Sequence, residues 1–219
     1  MNNGYQPFPQ VKKEDKIIIF FGPNEVGKTS ILQQFTKNIF DENYQTTLGI
    51  NYYIKEMDSI RLSIWDTCGE EIYNNNYFVP NHLYKAAVCY IIVISYHIKE
   101  SLDDSLLYID YIKQHVNRQN IQQNPYLIAL INKKDLKDKK YNLNTAVKSL
   151  KEHSPNLLIG EISAKDGFGL QKFFRKLESL LTSGNFEANE NSDELFFLST
   201  FKINEEEGVK APKKKKCCD

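Results

Sequence analysis

Short apolar runs alternate with helix-type patterns of apolar and polar residues from residue 16 to about residue 181. The apolar runs predict β-strands near residues 16–21, 49–57, 60–66, 88–94, 126–131 and 157–162. Apolar residues at helical spacing predict helices near residues 30–38, 101–112, 144–152 and 170–181. The run from Val88 to Ile94 is apolar throughout, which is typical of a central parallel strand covered on both faces. The alternation predicts an α/β fold with a mostly parallel six-stranded sheet and helices on both faces.

For the helix expected near Ser101, the sequence also predicts how the helix begins and which of its residues are buried. The run Ser101-Leu102-Asp103-Asp104 comes close to a capping box, in which the serine hydroxyl accepts a backbone N–H of the first helical turn. Four apolar residues recur at helical spacing and are predicted to lie in the core: Leu102, Leu106, Ile109 and Ile112.

The alternating pattern is absent at both ends of the chain. Residues 1–12 are predicted to be a flexible arm, and residues 13–181 a single folded domain. Residues 182–219 are polar apart from one apolar island at residues 195–198, so we expect a flexible tail. The tail ends in Lys213 to Lys216 followed by Cys217, Cys218 and Asp219.

Composition narrows the possible function classes. The 219-residue chain has a formal net charge of zero, so no overall positive field indicates nucleic-acid binding. We expect no membrane-spanning helix and no secretory signal, because no apolar run is long enough and the first ten residues are polar. Asn2 excludes the N-myristoylation pattern. The four cysteines lack metal-ligand spacing, which indicates free thiols in a reducing compartment.

The segment between the first predicted strand and the first predicted helix matches Gly-x-x-x-x-Gly-Lys-Ser/Thr, the phosphate-binding loop. It reads Gly22, Pro23, Asn24, Glu25, Val26, Gly27, Lys28 and Thr29, with Ser30 opening the helix. Backbone N–H groups of such a loop and the helix N-terminus bind phosphate oxygens. Lys28 is expected to reach the β and γ phosphates, and the Thr29 hydroxyl to bind Mg²⁺.

Three further polar motifs follow predicted strands. Asp66 is expected to hold Mg²⁺ through water, and Gly69 lets a backbone N–H approach the γ-phosphate. In Asn132-Lys133-Lys134-Asp135, the Asp135 carboxylate can accept the N1–H and 2-amino group of guanine, which adenine lacks. Ser163, Ala164 and Lys165 can offer a backbone N–H to the guanine oxygen. Each motif alone is weak evidence, but the occurrence of all three in this order, each at the end of a strand, is strong evidence.

Together, these motifs resemble those of the Ras-like small GTPases and, within them, the Rab family. The resemblance covers residues 16 to about 181 and implies a P-loop small G domain that binds GTP, GDP and Mg²⁺. It further implies that Thr47 joins Mg²⁺ in the GTP state, that Phe40 stacks on guanine and that Tyr44 covers the phosphates. Residues 66 to about 79 would form switch II, and catalysis would involve Glu70, Lys28 and Thr47. The Trp65-Asp66-Thr67 run, Gly49 and the paired terminal cysteines favour Rab over Ras or Rho.

Several positions depart from the family pattern. Glu70 stands where Rabs have the glutamine that orients the attacking water, and an ionised carboxylate cannot donate to the transition state. Drift at a tolerated position is the alternative for Glu70, and the sign of its effect on rate stays open. Cys68 replaces alanine and is expected to be a small packed residue, while Asn24 stands where Ras has glycine. Switch II also differs at residues 72–76, where its usual partners would bind.

The resemblance implies two geranylgeranyl groups on Cys217 and Cys218, with Lys213 to Lys216 adding attraction to an anionic leaflet. A solvated lysine run with incidental thiols, or a nuclear-localisation patch, is the alternative. We expect a switch in vesicle-mediated transport on the cytoplasmic face of an intracellular membrane, cycling with the cytosol. Its expected partners are an exchange factor, a GAP, a GDP-dissociation inhibitor or escort protein, and effectors at the switches, without nucleic acid. The alternatives are a guanine-nucleotide-binding scaffold with little hydrolysis and, more remotely, an adenine-nucleotide P-loop enzyme.

Overall fold

The computed structural model describes residues 15–43, 45–73, 79–98, 100–118, 125–136 and 143–183. Strands and helices alternate along this part of the chain. The strands are β1 (Asp15–Phe21), β2 (Ile50–Glu56), β3 (Arg61–Thr67), β4 (Ala87–Ser95), β5 (Tyr126–Asn132) and β6 (Leu158–Glu161). The α-helices are α1 (Lys28–Lys37), α2 (Asn81–Ala86), α3 (Ser101–Arg118), α4 (Leu143–His153) and α5 (Leu170–Ser183).

All six of these strands belong to one sheet, in the order β2-β3-β1-β4-β5-β6. Strand β2 runs antiparallel to β3, and the other neighbouring pairs are parallel. The carboxyl ends of the parallel strands therefore meet along one edge of the sheet, where ligands bind in such folds. The predicted α/β class with a mostly parallel six-stranded sheet is confirmed.

A buried apolar layer covers each face of the sheet. Side chains alternate along β4, so that Tyr90 and Ile92 belong to one layer and Cys89 and Ile91 to the other. The first layer includes residues of α2, α3 and α4, and the second includes residues of α1 and α5. Because both faces of β4 are covered, the strand carries no polar alternation, as its sequence indicated.

Helix α2 was not predicted. It follows Pro80 and passes directly into β4 at Ala87, so no polar break separates the two elements. Its six residues make fewer than two turns, which is too short for a helical period to show in the sequence. Leu83 and Tyr84 anchor it, since both side chains are fully buried.

Helix α3 corrects the capping prediction at Ser101. Ser101 is the first residue of the helix rather than the residue before it, and its hydroxyl turns towards the preceding loop. The hydroxyl oxygen accepts the Ser95 N–H at 3.0 Å and lies 2.5 Å from the Ile98 carbonyl oxygen. Ile109 and Ile112 are buried as predicted.

Two other core predictions on α3 hold only in part. Leu102 and Leu106 are half-buried and pack against the edge of the apolar layer. Tyr108 and Val116 occupy the core instead. The buried face of α3 is therefore centred on Tyr108, Ile109, Ile112 and Val116 rather than on the two leucines.

Within the described residues, no helix combines the length and the apolar character that crossing a bilayer requires.

Candidate functional site

The loop from Gly22 to Gly27 turns tightly between β1 and α1. Gly22 has a φ of 131°, and a Cβ placed there would lie 2.4 Å from the carbonyl oxygen of Val93. Only glycine fits this position without displacing β4. Helix α1 then begins at Lys28 with no side chain capping its first N–H groups. These donors and the positive end of the helix can therefore bind an anion.

The Lys28 side chain folds back into this loop. Its Nζ donates to the carbonyl oxygens of Gly22, at 2.7 Å, and Pro23, at 2.9 Å. Burial lowers the pKa of Lys28, although the nearby Glu71 and Asp66 carboxylates oppose that shift. An anion bound in the loop would stabilise the charged ammonium.

Three oxygen-bearing side chains meet at the start of α1. The Thr29 hydroxyl donates to Asp66 Oδ2 at 2.7 Å and lies 2.8 Å from the Thr47 hydroxyl. All three residues are buried, and burial raises the pKa of Asp66 to about 6. The Asn51 side chain on β2 also interacts with the Asp66 carboxylate, and Asp66 Oδ1 has no close, well-aligned hydrogen-bond partner among the described residues. A buried carboxylate oxygen beside two hydroxyls is a hard-oxygen set, which fits Mg²⁺.

The segment after β3 lies directly on the phosphate loop. A Cβ at Gly69 would be 2.6 Å from Asn24 Oδ1 and 2.7 Å from Lys28 Nζ, so this close approach requires glycine. Next to it, the Glu70 carboxylate accepts a hydrogen bond from Asn24 Nδ2 at 3.1 Å. Asn24 and Glu70, at which the resemblance led us to expect departures from the family pattern, therefore contact each other, and no local sequence signal indicated this pairing.

Glu71 is a buried carboxylate that sequence reasoning missed. Its Oε1 accepts the Gly69 N–H at 2.8 Å and the Cys68 thiol at 3.3 Å, and its Oε2 accepts the Tyr108 hydroxyl at 3.1 Å. Cys68 is 5% exposed, in keeping with its predicted packing role, and burial raises the pKa of its thiol to about 11. Glu70 and Glu71 are adjacent, and nothing in their sequence tells which one is buried.

A cavity of about 470 Å³ opens beside the phosphate loop. It is lined by Glu25, Gly27, Ser30, Phe40, Asp41, Glu42, Asn132, Lys133, Asp135, Leu136, Ala164 and Lys165. The motifs after β5 and β6 thus share one cavity with the phosphate loop and with Phe40. The acidic Asp41 and Glu42 and the apolar Leu136 were not predicted as lining residues, since they belong to no motif.

Asn132 joins the three parts of this cavity. The side chain is buried at the end of β5, and its Nδ2 donates to the Val26 carbonyl oxygen at 2.9 Å. Its Oδ1 accepts the Ala164 N–H at 3.0 Å. That N–H is one of those predicted to bind the guanine oxygen, and in this structure it is engaged by Asn132.

The side chains at the mouth of the cavity are also paired. Asp135 Oδ1 accepts the Ser163 hydroxyl at 2.8 Å, which holds the carboxylate against the loop after β6. Lys165 Nζ lies 2.8 Å from Glu42 Oε1, so an exposed ion pair crosses the mouth. Lys133 is half-buried with a φ of 62°, and burial lowers its pKa.

Some predicted residues lie outside the described part of the chain. These are Tyr44, residues 74–78 of the expected switch II, and the terminal residues Lys213 to Lys216, Cys217 and Cys218.

A comparison with protein-family models matches residues 16–182 to the Ras family. The match begins one residue into β1 and ends one residue before the end of α5, so it spans the whole alternation of strands and helices. It also contains the phosphate loop, the oxygen cluster and the cavity described above. The chain therefore belongs to the Ras family of small GTPases, which bind GTP and GDP as a switch.

Proposed function

We propose that this Ras-family GTPase is a Rab-like, membrane-attached switch in vesicle trafficking that hydrolyses GTP slowly. The proposal that the chain binds a guanine nucleotide rests on one observation. The loops after β1, β5 and β6 line a single cavity beside Lys28. The domain was predicted to comprise residues 13–181, and helix α5 continues two residues past that end, to Ser183.

The phosphates are bound by the loop from Gly22 to Ser30, with Lys28 supplying the charge. Thr29 and Thr47 are the proposed Mg²⁺ ligands, and Asp66 acts through water. When bound there, Mg²⁺ would neutralise part of the phosphate charge. The assignment is supported by the buried Asp66 carboxylate and the two buried threonine hydroxyls, because Mg²⁺ prefers oxygen ligands.

Asp135 specifies guanine in this proposal, with Phe40 stacking on the base. The Ser163 hydroxyl holds the Asp135 carboxylate in place, which favours a fixed pair of acceptors for the guanine N1–H and 2-amino group. Asp135→Asn should weaken GDP binding tens- to hundreds-fold, or roughly 2–4 kcal/mol, and shift preference towards xanthine nucleotides. Competition against a fluorescent GDP measures this, with Asp103→Asn on the exposed face of α3 as the matched control. Equal affinity of the parent for GDP and ADP would contradict the assignment.

Hydrolysis is proposed to be slow because of Glu70. Its carboxylate is already engaged by Asn24, and an ionised carboxylate offers no donor to the transition-state charge. The same observation favours the alternative function, a guanine-nucleotide-binding scaffold with little or no hydrolysis. Single-turnover assays of the parent and Glu70→Gln, alone and with a GAP, separate the two. We expect the Gln variant to differ severalfold, whereas identical rates would show that residue 70 takes no part in catalysis.

Membrane attachment is proposed through Cys217 and Cys218, with the lysines before them adding about 1 kcal/mol per charge at an anionic leaflet. Two prenyl groups anchor a protein stably where a single chain is marginal. On this proposal the protein cycles between cytosol and the cytoplasmic face of one organelle. An escort protein or GDP-dissociation inhibitor, an exchange factor, a GAP and effectors act on it. Changing both cysteines to serine should move the protein to the soluble fraction. A double variant that still pellets with membranes would exclude anchoring there.

A further inference from the structure

Lys134 lies between the two loops that line the proposed base site. It is the third residue of Asn132-Lys133-Lys134-Asp135 and is not among the residues that line the cavity. Its backbone N–H donates to the Ile162 carbonyl oxygen at 3.2 Å, which joins the loop after β5 to the residue just after β6. The side chain then makes two further contacts with the same loop region.

The Lys134 ammonium is held by a carboxylate and an aromatic ring. Its Nζ lies 2.8 Å from Glu161 Oε2 and 3.5 Å from the centroid of the Phe168 ring. Cation–π contact at this distance adds to the ion pair, because the ammonium is partly desolvated. Phe168 in turn closes the loop that carries Ser163, since its carbonyl oxygen accepts the Ser163 N–H at 3.0 Å.

The other carboxylate oxygen of Glu161 extends this network to β4. Glu161 Oε1 accepts the hydroxyl of Tyr96, and the Tyr96 N–H donates to the Asn132 carbonyl oxygen at 3.0 Å. The Glu161 residue is 8% exposed, so its charge depends on these partners. Contacts therefore run from Asn132 through Tyr96 and Glu161 to Lys134, and so return to the same loop after β5.

We propose that Lys134 is a positioning residue that fixes the loop bearing Asp135 against the loop bearing Ser163, and so sets how long guanine nucleotides stay bound. This inference rests on the proposed base site. Loss of the Lys134 ammonium would remove both the ion pair with Glu161 and the cation–π contact with Phe168, and so weaken the link between the two loops. The base contacts of Asp135 would weaken although Asp135 itself is unchanged.

The test is the release rate of a fluorescent GDP from full-length Lys134→Met, measured below the unfolding transition of every variant. We expect release about tenfold faster than from the parent, a change that about 1.4 kcal/mol produces. Glu161→Gln should act in the same direction, because it removes the same ion pair while keeping an acceptor for Tyr96. Lys134→Arg should stay within about twofold of the parent, since an arginine keeps the charge and stacks on Phe168.

Arg61→Met is the matched control. Arg61 forms a comparable half-buried ion pair with Asp15, at 3.4 Å, but at the start of β1 and β3, away from the strand ends that carry the cavity. Arg61→Met should lower the free energy of unfolding without changing the rate of GDP release by more than about twofold.

A second readout is the preference for GDP over inosine diphosphate, which lacks the 2-amino group. The preference should fall in Lys134→Met and stay at the parent value in Arg61→Met. Parent-like release and preference in both Lys134→Met and Glu161→Gln, or equal acceleration in Arg61→Met, would overturn the positioning role. A parent with no preference for GDP over ADP would overturn the base site itself.

Discussion

Replacing Asn132 with alanine should damage the fold and the nucleotide site together. The Asn132 side chain is 1% exposed and joins the phosphate loop, through the Val26 carbonyl oxygen, to the loop after β6, through the Ala164 N–H. Alanine removes both bonds at once and leaves two backbone groups unpaired next to the cavity. The substitution therefore removes the side-chain contacts that join three loops from distant parts of the sequence.

The expected size follows from those two bonds. A buried polar group left without a partner costs about 1–3 kcal/mol, so two such groups set an upper range of about 2–6 kcal/mol. Water entering from the neighbouring cavity can satisfy part of this loss. We therefore expect the free energy of unfolding to fall by about 2–4 kcal/mol.

Urea unfolding at a fixed, saturating GDP concentration measures the loss. Because bound GDP adds to the stability of the folded state, GDP affinity is measured separately and its change is subtracted. Asn144→Ala is the control, since Asn144 is exposed on α4. A loss below about 0.5 kcal/mol for Asn132→Ala, or an equal loss for Asn144→Ala, would refute the reasoning.

Three further predictions concern the phosphate side of the site. Thr29→Asn should weaken GTP binding more than GDP binding in competition assays at fixed Mg²⁺, because the triphosphate state relies more on the metal; equal effects would contradict the role of Thr29. Gly22→Ala should cost about 2–4 kcal/mol in urea unfolding because its Cβ meets the Val93 carbonyl oxygen. Gly49→Ala, where the Cβ meets nothing within 4 Å, should show only the cost of a positive φ, about 1–2 kcal/mol. Cys68 should resist iodoacetamide at pH 8 until the protein unfolds, since its pKa of about 11 reduces the thiolate about a hundredfold; mass spectrometry of labelled peptides checks this.

The sequence predicted the parts of the site that depend on the chain direction of a parallel sheet. Glycines and a lysine after β1, Asp66 at the end of β3 and Asn132 at the end of β5 are fixed to one edge once the strands are parallel. Their proximity follows from topology rather than from any contact between neighbours in sequence. For this reason a strand pattern and a few motifs were enough to place them.

The contacts that the sequence did not predict join residues far apart in the chain. Asn24 meets Glu70 across 46 positions, and Tyr96 meets Glu161 across 65. Which side chains pair over such separations depends on the conformation of each loop. Neither residue of a pair carries a local sequence signal for the other. Helix α2 was missed for a different reason, because six residues are too few to show the helical spacing of apolar residues.

Burial shifts the pKa values of the two charged groups at the phosphate side of the site in opposite directions. It lowers the pKa of Lys28 and raises that of Asp66 to about 6, so the surroundings disfavour the charged form of both groups. The two groups lie close enough for each to offset part of the shift of the other. A magnesium nucleotide carries both the negative phosphates that stabilise an ammonium and the cation that stabilises a carboxylate. Since either charge alone would serve only one of the two residues, we expect GDP with Mg²⁺ to stabilise the folded chain more than the sum of GDP and Mg²⁺ added separately.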